Sequence, residues 1–384
     1  MTESKYKQIA NELLAEISAG KYQPSGRLPS EAQLVERFKV ARPTAARALR
    51  DLQDQGLIER RAGSGSYVRN TRAPIDSTRQ LGLLVPNLAG TEILEVICGN
   101  LARLARIHDY GLIWGSRDSV GDSVASVGDA VASAGDAETI AIKEADSLCQ
   151  QYIDCDVRGV FFAPIEHNDR KDELNLRLAE RLHQAGISVI LLDRDLSGFA
   201  NRSEFDLVGI DNFAAGYTIA DHLLKLGCKR LSFLSEPLSA PTASVRIAGV
   251  REAIRVHGCN IAKNFVHECV ADDENFVKML QGKRDTDAIL CASDRVAATL
   301  MQSMTKAGVS VPHDLRIVGF DDVKYASLLS VPLTTMRQPC REIAAVAFRA
   351  MLDSIEERDI PPRSYVLPAR LVVRESCGAY LARR

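Results

Sequence analysis

Thr44, Arg47 and Arg50 fall at spacings that turn them outward from a helix opening at Pro43, with Arg42 at its N-terminal end. An arginine at the N-terminal end of such a helix can grip guanine through two donors, and the helix end itself favours a phosphate. Further on, Gly63-Ser64-Gly65 forms a small-residue tip between two short strand-like runs, Leu57–Arg61 and Ser66–Arg69. Glycines let such a tip approach a DNA backbone without side-chain clash. An ordinary hairpin with a solvated Arg60-Arg61 pair would read alike, but the position after two helices favours a wing.

The elements that must hold these groups are legible. A helix is expected from about Ser4 to Ala19, with Tyr6, Ile9, Leu13, Leu14 and Ile17 on one face and Gly20 as its stop. A second begins at Ser30, where Gln33 three residues later completes a capping box, and Leu34, Val35 and Phe38 form its apolar stripe. The third buries Ala45, Ala48, Leu49 and Leu52. Helix, turn, helix and glycine-tipped ribbon make residues 1–69 a winged helix-turn-helix of α+β class that is expected to bind double-stranded DNA. The expected contacts are Arg42, Pro43, Thr44 and Arg47, with Ser30 and Glu31 before them and Gly63, Ser64 and Gly65 at the tip.

A second set of chemistry-bearing residues ends short apolar runs further along. Asp193-Arg194 follows Val189–Leu192, Ala292-Ser293-Asp294 follows Ala288–Cys291, and Asp321-Asp322 follows Ile317–Phe320. Trp114 ends another such run. Carboxylates accept hydroxyl protons and guanidinium groups donate, so a cleft edged this way suits a polyhydroxylated ligand. The runs Leu81–Val85, Leu112–Trp114, Val157–Phe162, Val189–Leu192, Leu207–Ile210, Leu231–Leu234, Ala288–Cys291 and Ile317–Phe320 alternate with amphipathic stretches such as Ile93–Ile107, Leu174–Leu182 and Val296–Met304. That alternation predicts parallel sheets covered on both faces, with ligands beyond the carboxyl ends of the strands. The segment is long for one sheet, so two α/β lobes are expected.

Composition narrows the rest. The chain has 384 residues, 46% hydrophobic and 26% charged, an ordinary globular balance. No apolar run nears a bilayer span, and the polar start gives no signal peptide, so a cytoplasmic protein is expected. The nine cysteines show no CxxC or zinc spacing; no metal, cofactor or disulfide is expected. Residues 1–69 carry twelve Lys+Arg against eight Asp+Glu, whereas the whole chain has net charge −2, so a basic head sits on an acidic body. Residues 70–79 read as a tether. Residues 119–139 repeat a seven-residue Ser-x-Gly-Asp unit, expected to be a mobile surface loop because regular glycines discourage a helix, with an extension of the following helix as the alternative.

Over residues 5–69 the chain resembles the GntR family of bacterial transcription regulators. The resemblance rests on Leu28-Pro29-Ser30-Glu31, Arg42-x-Thr44, Arg47-Ala48-Leu49-x-x-Leu52, Gly56-Leu57-Ile58 and Gly63-x-Gly65-x-Tyr67-Val68. Two positions depart: Ala32 and Ala46 stand where the family often has arginines that commonly touch DNA, so no operator sequence carries over. From Gln80 to about Gly378 the chain resembles the LacI-type effector domain, which is similar to periplasmic sugar-binding proteins. That resemblance rests on Val189–Arg194, Val208–Gly216, Arg246-x-x-Gly249, Ala292-Ser293-Asp294-x-x-Ala297, Ile317–Asp322 and Pro332–Pro339. It implies three crossovers, placed near Asp211, Asp321 and Gln338. Lobe 1 is then about 80–211 and 322–338, and lobe 2 about 212–321 and 339–378. It implies Arg246 and Asp294 as ligand contacts, then Asp211, Arg194 and Gln338; Trp114 is added as either a stacking platform or a packed core residue. The function implied is a homodimeric repressor released from a palindromic operator by a sugar or sugar derivative. An activator or corepressor-dependent regulator has the same architecture. An α/β enzyme with a DNA-binding head is the contrasting class, but no GxGxxG follows the first strand, and no GxSxG, HExxH or P-loop occurs.

Overall fold

The computed structural model of the chain describes residues 5–18, 21–22, 27–54, 58–61, 65–68, 79–86, 92–114, 134–196, 198, 202–282, 285–357 and 360–381. It divides into two compact units, Met1–Ile75 and Asp76–Arg384. Among the described residues no helix is long and apolar enough to cross a membrane.

The first unit holds α1 (Lys5–Ser18), α2 (Glu31–Phe38), α3 (Arg42–Asp54) and a ribbon of β1 (Ile58–Arg61) and β2 (Gly65–Val68). The box at α2 forms: the Ser30 hydroxyl accepts from the Gln33 N–H, and the Gln33 side-chain oxygen accepts from the Ser30 N–H. Lys39, at φ +50°, ends α2 in the left-handed region and turns the chain toward α3. Ile9, Leu13, Leu34, Ala45, Ala48, Leu49, Leu52 and Ile58 close a small core. The antiparallel ribbon gains a third member, because Arg27 bridges Tyr67 and the Leu28 N–H donates to Ser66 O at 2.9 Å.

The second unit has two lobes. The first takes β3 (Gln80–Leu84), α4 (Glu92–Ile107), β4 (Gly111–Ile113), α5 (Ala134–Asp154), β5 (Gly159–Phe162), α6 (Lys171–Gln184), β6 (Ser188–Leu192) and β7 (Asp206–Ile210). The second takes α7 (Asn212–Lys225), β8 (Leu231–Ser235), α8 (Pro241–Val256), β9 (Val266–Glu268), α9 (Glu274–Gly282), β10 (Ala288–Cys291), α10 (Asp294–Lys306), β11 (Arg316–Asp321) and β12 (Thr334–Arg337). The chain returns to the first lobe with α11 (Cys340–Glu356) and β13 (Ser364–Leu367), then ends on the second with β14 (Arg370–Val372). The sheets run β13-β7-β6-β5-β3-β4 and β14-β12-β11-β10-β8-β9. Every pairing is parallel except that of β14 with β12.

The lobes are therefore joined at Asp211, at Gln338-Pro339 and at Pro368-Ala369. This corrects the crossover expected at Asp321 and the lobe assignment built on it. Asp321 and Asp322 adopt φ +118° and +58°, and the chain then passes through a 3-10 turn, Lys324–Ser327. It comes back as β12 beside β11 in the same sheet, so 322–337 stays in the second lobe and α11 with β13 belongs to the first. A second correction concerns the repeat. Residues 119–133 lie outside the described residues, but 134–139 form the first turns of α5 rather than a loop.

Two glycines set the packing of the second lobe. A Cβ on Gly216 in α7 would lie 2.2 Å from Arg246 O, and one on Gly249 in α8 would lie 2.1 Å from Phe213 O. The two helix backbones approach so closely that only glycine fits at either point.

Candidate DNA interface and effector cleft

In the first unit, α3 carries Arg42, Arg47 and Arg50 exposed to solvent. The Arg42 side chain is 80% exposed and its Nε lies 3.2 Å from Glu31 Oε2. Glu31 thus pairs with Arg42 across the turn between α2 and α3. The Arg47 guanidinium lies 4.3 Å from the centre of the Tyr6 ring, which fixes its stem while leaving donors outward. Pro43 is exposed; Thr44 is half-buried, its N–H bonded to Ala41 O. Ser30 is spent on the cap. Gly65 takes φ +123°, and its Cα faces the Arg27 guanidinium. Gly63 and Ser64 lie outside the described residues. Arg27 was not anticipated; its place just before Leu28-Pro29 was the available signal. Behind this surface, Arg37 reaches Glu16 and Glu12 across α1 and α2 at 2.6–2.9 Å, and its hydrogen bond holds the Glu16 carboxyl well below the usual range.

In the second unit, the ends of the parallel strands gather a cluster of buried charge. From the first lobe come Glu166, Asp193 and Arg194; from the second, Asn212, Arg246 and Asp321; from a crossover, Gln338. The Arg194 Nε donates to Pro164 O at 2.8 Å, while its Nη1 meets Glu166 Oε2 at 3.0 Å and Asp193 Oδ2 at 3.3 Å. The Arg246 Nε donates to Asn212 Oδ1 at 2.8 Å and its Nη1 to Ala292 O at 2.7 Å, with the guanidinium 3.6 Å over the Phe320 ring. Gln338 Nε2 donates to Asp321 Oδ1 at 2.8 Å. Burial pushes the Asp193 and Asp321 carboxyls up, against the pull of Arg194 and Arg246 on the first and of Arg246 on the second. Burial also acts to raise Glu166, but Arg194 and its other cationic neighbours outweigh it and keep that carboxyl below the ordinary value. Arg246 feels Asp193 and Glu166 of the opposite lobe, so the lobes face one another across these groups.

Three of the expected ligand residues, Arg246, Arg194 and Gln338, thus come together. The other three do not. Asp294 is fully buried: its Oδ1 accepts from the Thr335 hydroxyl at 2.6 Å and its Oδ2 from the Val323 N–H at 3.0 Å. It fastens the return loop after β11, and its charge acts on Asp321 of the cluster. Asp211 is exposed and accepts from the Ala214 N–H at 2.8 Å, capping α7. Trp114 is 58% exposed at the end of edge strand β4, so it is no core residue. Glu166 and Asn212 were missed as site residues, although each follows a strand end as the rule for parallel sheets requires.

Away from the crossovers the lobes also meet at a latch. Lys171 Nζ donates to Leu238 O and Ser239 O, each at 2.7 Å, and the His167 N–H donates to Leu238 O at 3.0 Å. His167 and Leu238 both sit at positive φ, +59° and +57°, which aims these backbone groups at each other.

The role of Asp294 has a measurable sign. Burial raises its carboxyl to about 7. Its neutral form therefore contributes stability that is complete below the ordinary value of 3.8 and is lost as pH rises through about 7. Asp294→Asn keeps an acceptor for Val323 and offers a donor to the Thr335 oxygen, so its thermal stability should lack this decline. Asp294→Ala, which strands both partners, should cost about 2–4 kcal/mol. Equal melting profiles for both variants from pH 4 to 8 would reject the assignment.

Comparison with known proteins places both units. Residues 5–68 match the bacterial regulatory proteins of the gntR family, and residues 220–377 match the periplasmic binding protein-like domain. The chain is 24% identical over 97% of both lengths to an arabinose metabolism transcriptional repressor of Geobacillus stearothermophilus. It is 28% identical to a ribose operon repressor of Halalkalibacterium halodurans, over 61% of this chain and 65% of that one. Among solved structures, a CelR–cellobiose regulator complex superposes with TM-score 0.61 at 21% identity, over 88% of this chain and 91% of that one. The lac repressor dimer on its operator does so with TM-score 0.60 at 18% identity, over 78% and 94%. At these identities the structures speak to the fold.

Proposed function

Because the chain joins a gntR-type regulatory head to a periplasmic binding protein-like body, we propose that it is a cytoplasmic transcriptional repressor whose hold on its operator is released by a sugar. The observation that carries this reading is the cluster of buried Asp193, Arg194, Arg246 and Gln338 with half-buried Glu166 and Asp321, drawn from both lobes and a crossover. A ligand gripped there interacts with both lobes only when they are closed. It therefore favours the closed state by the difference between its two affinities, and nothing else can shift the equilibrium. Asp211, Gln338-Pro339 and Pro368-Ala369 are the points about which closure turns. The body pairs two copies, and closure alters the spacing of two heads on a two-fold operator. By linkage, operator and sugar weaken one another's binding by the same factor. The chain acts by binding, with no catalytic step.

The test uses the full chain and its upstream DNA. Arg42→Ala and Arg47→Ala should each weaken the specific complex by about 1–3 kcal/mol in a gel shift while sugar affinity is kept. Light scattering on the same samples should give a dimer. Wild-type operator affinity in both variants, or a monomer with undiminished affinity, would contradict the proposal.

A further inference from the structure

We propose that the effector is an uncharged sugar and that its phosphate ester is excluded, because the groups awaiting partners in the cleft are hydrogen-bond acceptors. This deepens the reading above and rests on it. Asp193 Oδ1 and Gln338 Oε1 are buried without a donor among the described residues, on side chains from residues only 6% and 4% exposed. Native proteins rarely leave such atoms unmet. A sugar hydroxyl supplies the missing proton; a phosphate dianion supplies none.

The Nε and Nη1 donors of both cleft arginines are already committed. Arg194 serves Pro164 O, Glu166 and Asp193; Arg246 serves Asn212 and Ala292 O and covers Phe320. The helix ends that would otherwise attract an anion are occupied by this chain's own oxygens. Asp211 caps α7, and the Ser293 hydroxyl caps α10, with Asp294 in its first turn. α8 opens on Pro241, which lacks the first N–H. The cation at the latch, Lys171, is held on two carbonyls. A phosphate entering here would meet Glu166, Asp193 and Asp321 and would leave both orphaned acceptors as they were.

The experiment is calorimetry on the full-length protein with L-arabinose, D-ribose, D-glucose and cellobiose, and with the monophosphates of the three monosaccharides. At least one neutral sugar should bind, with its phosphate weaker by about a hundredfold or more, the discrimination expected where a site is built around hydroxyl groups. Gln338→Leu should weaken the neutral sugar about tenfold or more. Asp193→Asn, which removes a negative charge but not the shape, should narrow the gap between sugar and phosphate. A phosphate that binds as tightly as its parent sugar would overturn the inference and leave the sugar reading standing. Failure of every sugar and every phosphate to bind would sink the sugar reading itself. The wild-type series decides the matter even if a variant fails to fold.

Discussion

Arg246→Ala should abolish the response to sugar while leaving the repressor on its operator. The side chain has three attachments, to Asn212, Ala292 O and the Phe320 face, and all are lost together. The larger effect is on what remains. Asp193, Asp321 and Glu166 all draw on this guanidinium, and without it Arg194 is the one guanidinium left in the cluster. Breaking a buried ionic cluster by removing one partner costs about 3–5 kcal/mol. Part of that cost falls on folding of the body, and part on the sugar complex, where about two decades of affinity should go. The head is a separate compact unit and its core contains none of these residues, so operator affinity without sugar should hold. Calorimetry with the neutral sugar, paired with anisotropy of a labelled operator, reads both halves. Unchanged sugar affinity would place the binding site elsewhere.

Gly249→Ala should be comparably damaging, although Gly249 donates nothing to the cleft. The added Cβ would stand 2.1 Å from Phe213 O and 2.9 Å from Tyr217 N. α7 and α8 must then move apart by more than an ångström, which costs about 2–3 kcal/mol in a well-packed interior. Arg246 lies one turn earlier on α8 and is carried with it, away from Asn212. The body should melt earlier and bind sugar more weakly. Gly99→Ala is the control, since its Cβ would meet nothing within 4 Å and alanine is the better helix former. If the two variants melt alike, the close helix crossing is not what holds Arg246.

This pair explains a motif that the sequence displays without its reason. Arg246-x-x-Gly249 puts a chemical group and its packing requirement on one helix face, one turn apart. Most of the eight apolar runs were equally legible, because they became parallel strands buried on both faces and so had to be written in Val, Ile, Leu and Phe, whereas Leu112–Trp114 became the half-exposed edge strand β4. β9, β12, β13 and β14 were not anticipated. β12 reads Thr-Thr-Met-Arg, and its buried threonines find side-chain partners in Asp294 and Ser376, a contact no local pattern announces. β13 and β14 are short edge strands whose residues are partly exposed. Missing them moved the third crossover to Asp321. The same blindness misplaced Asp294: a carboxylate after a strand reads as a cleft residue until the loop it fastens is seen.

The latch carries a consequence for time rather than affinity. If a sugar is held between the lobes as proposed, parting them to release it breaks the bonds of Lys171 to Leu238 O and Ser239 O and of His167 to Leu238 O. Its residence time is then set in part by groups that need never touch it. Lengthening that wait changes how long a promoter stays open after the sugar has gone, so the persistence of the response and its threshold are written in different residues.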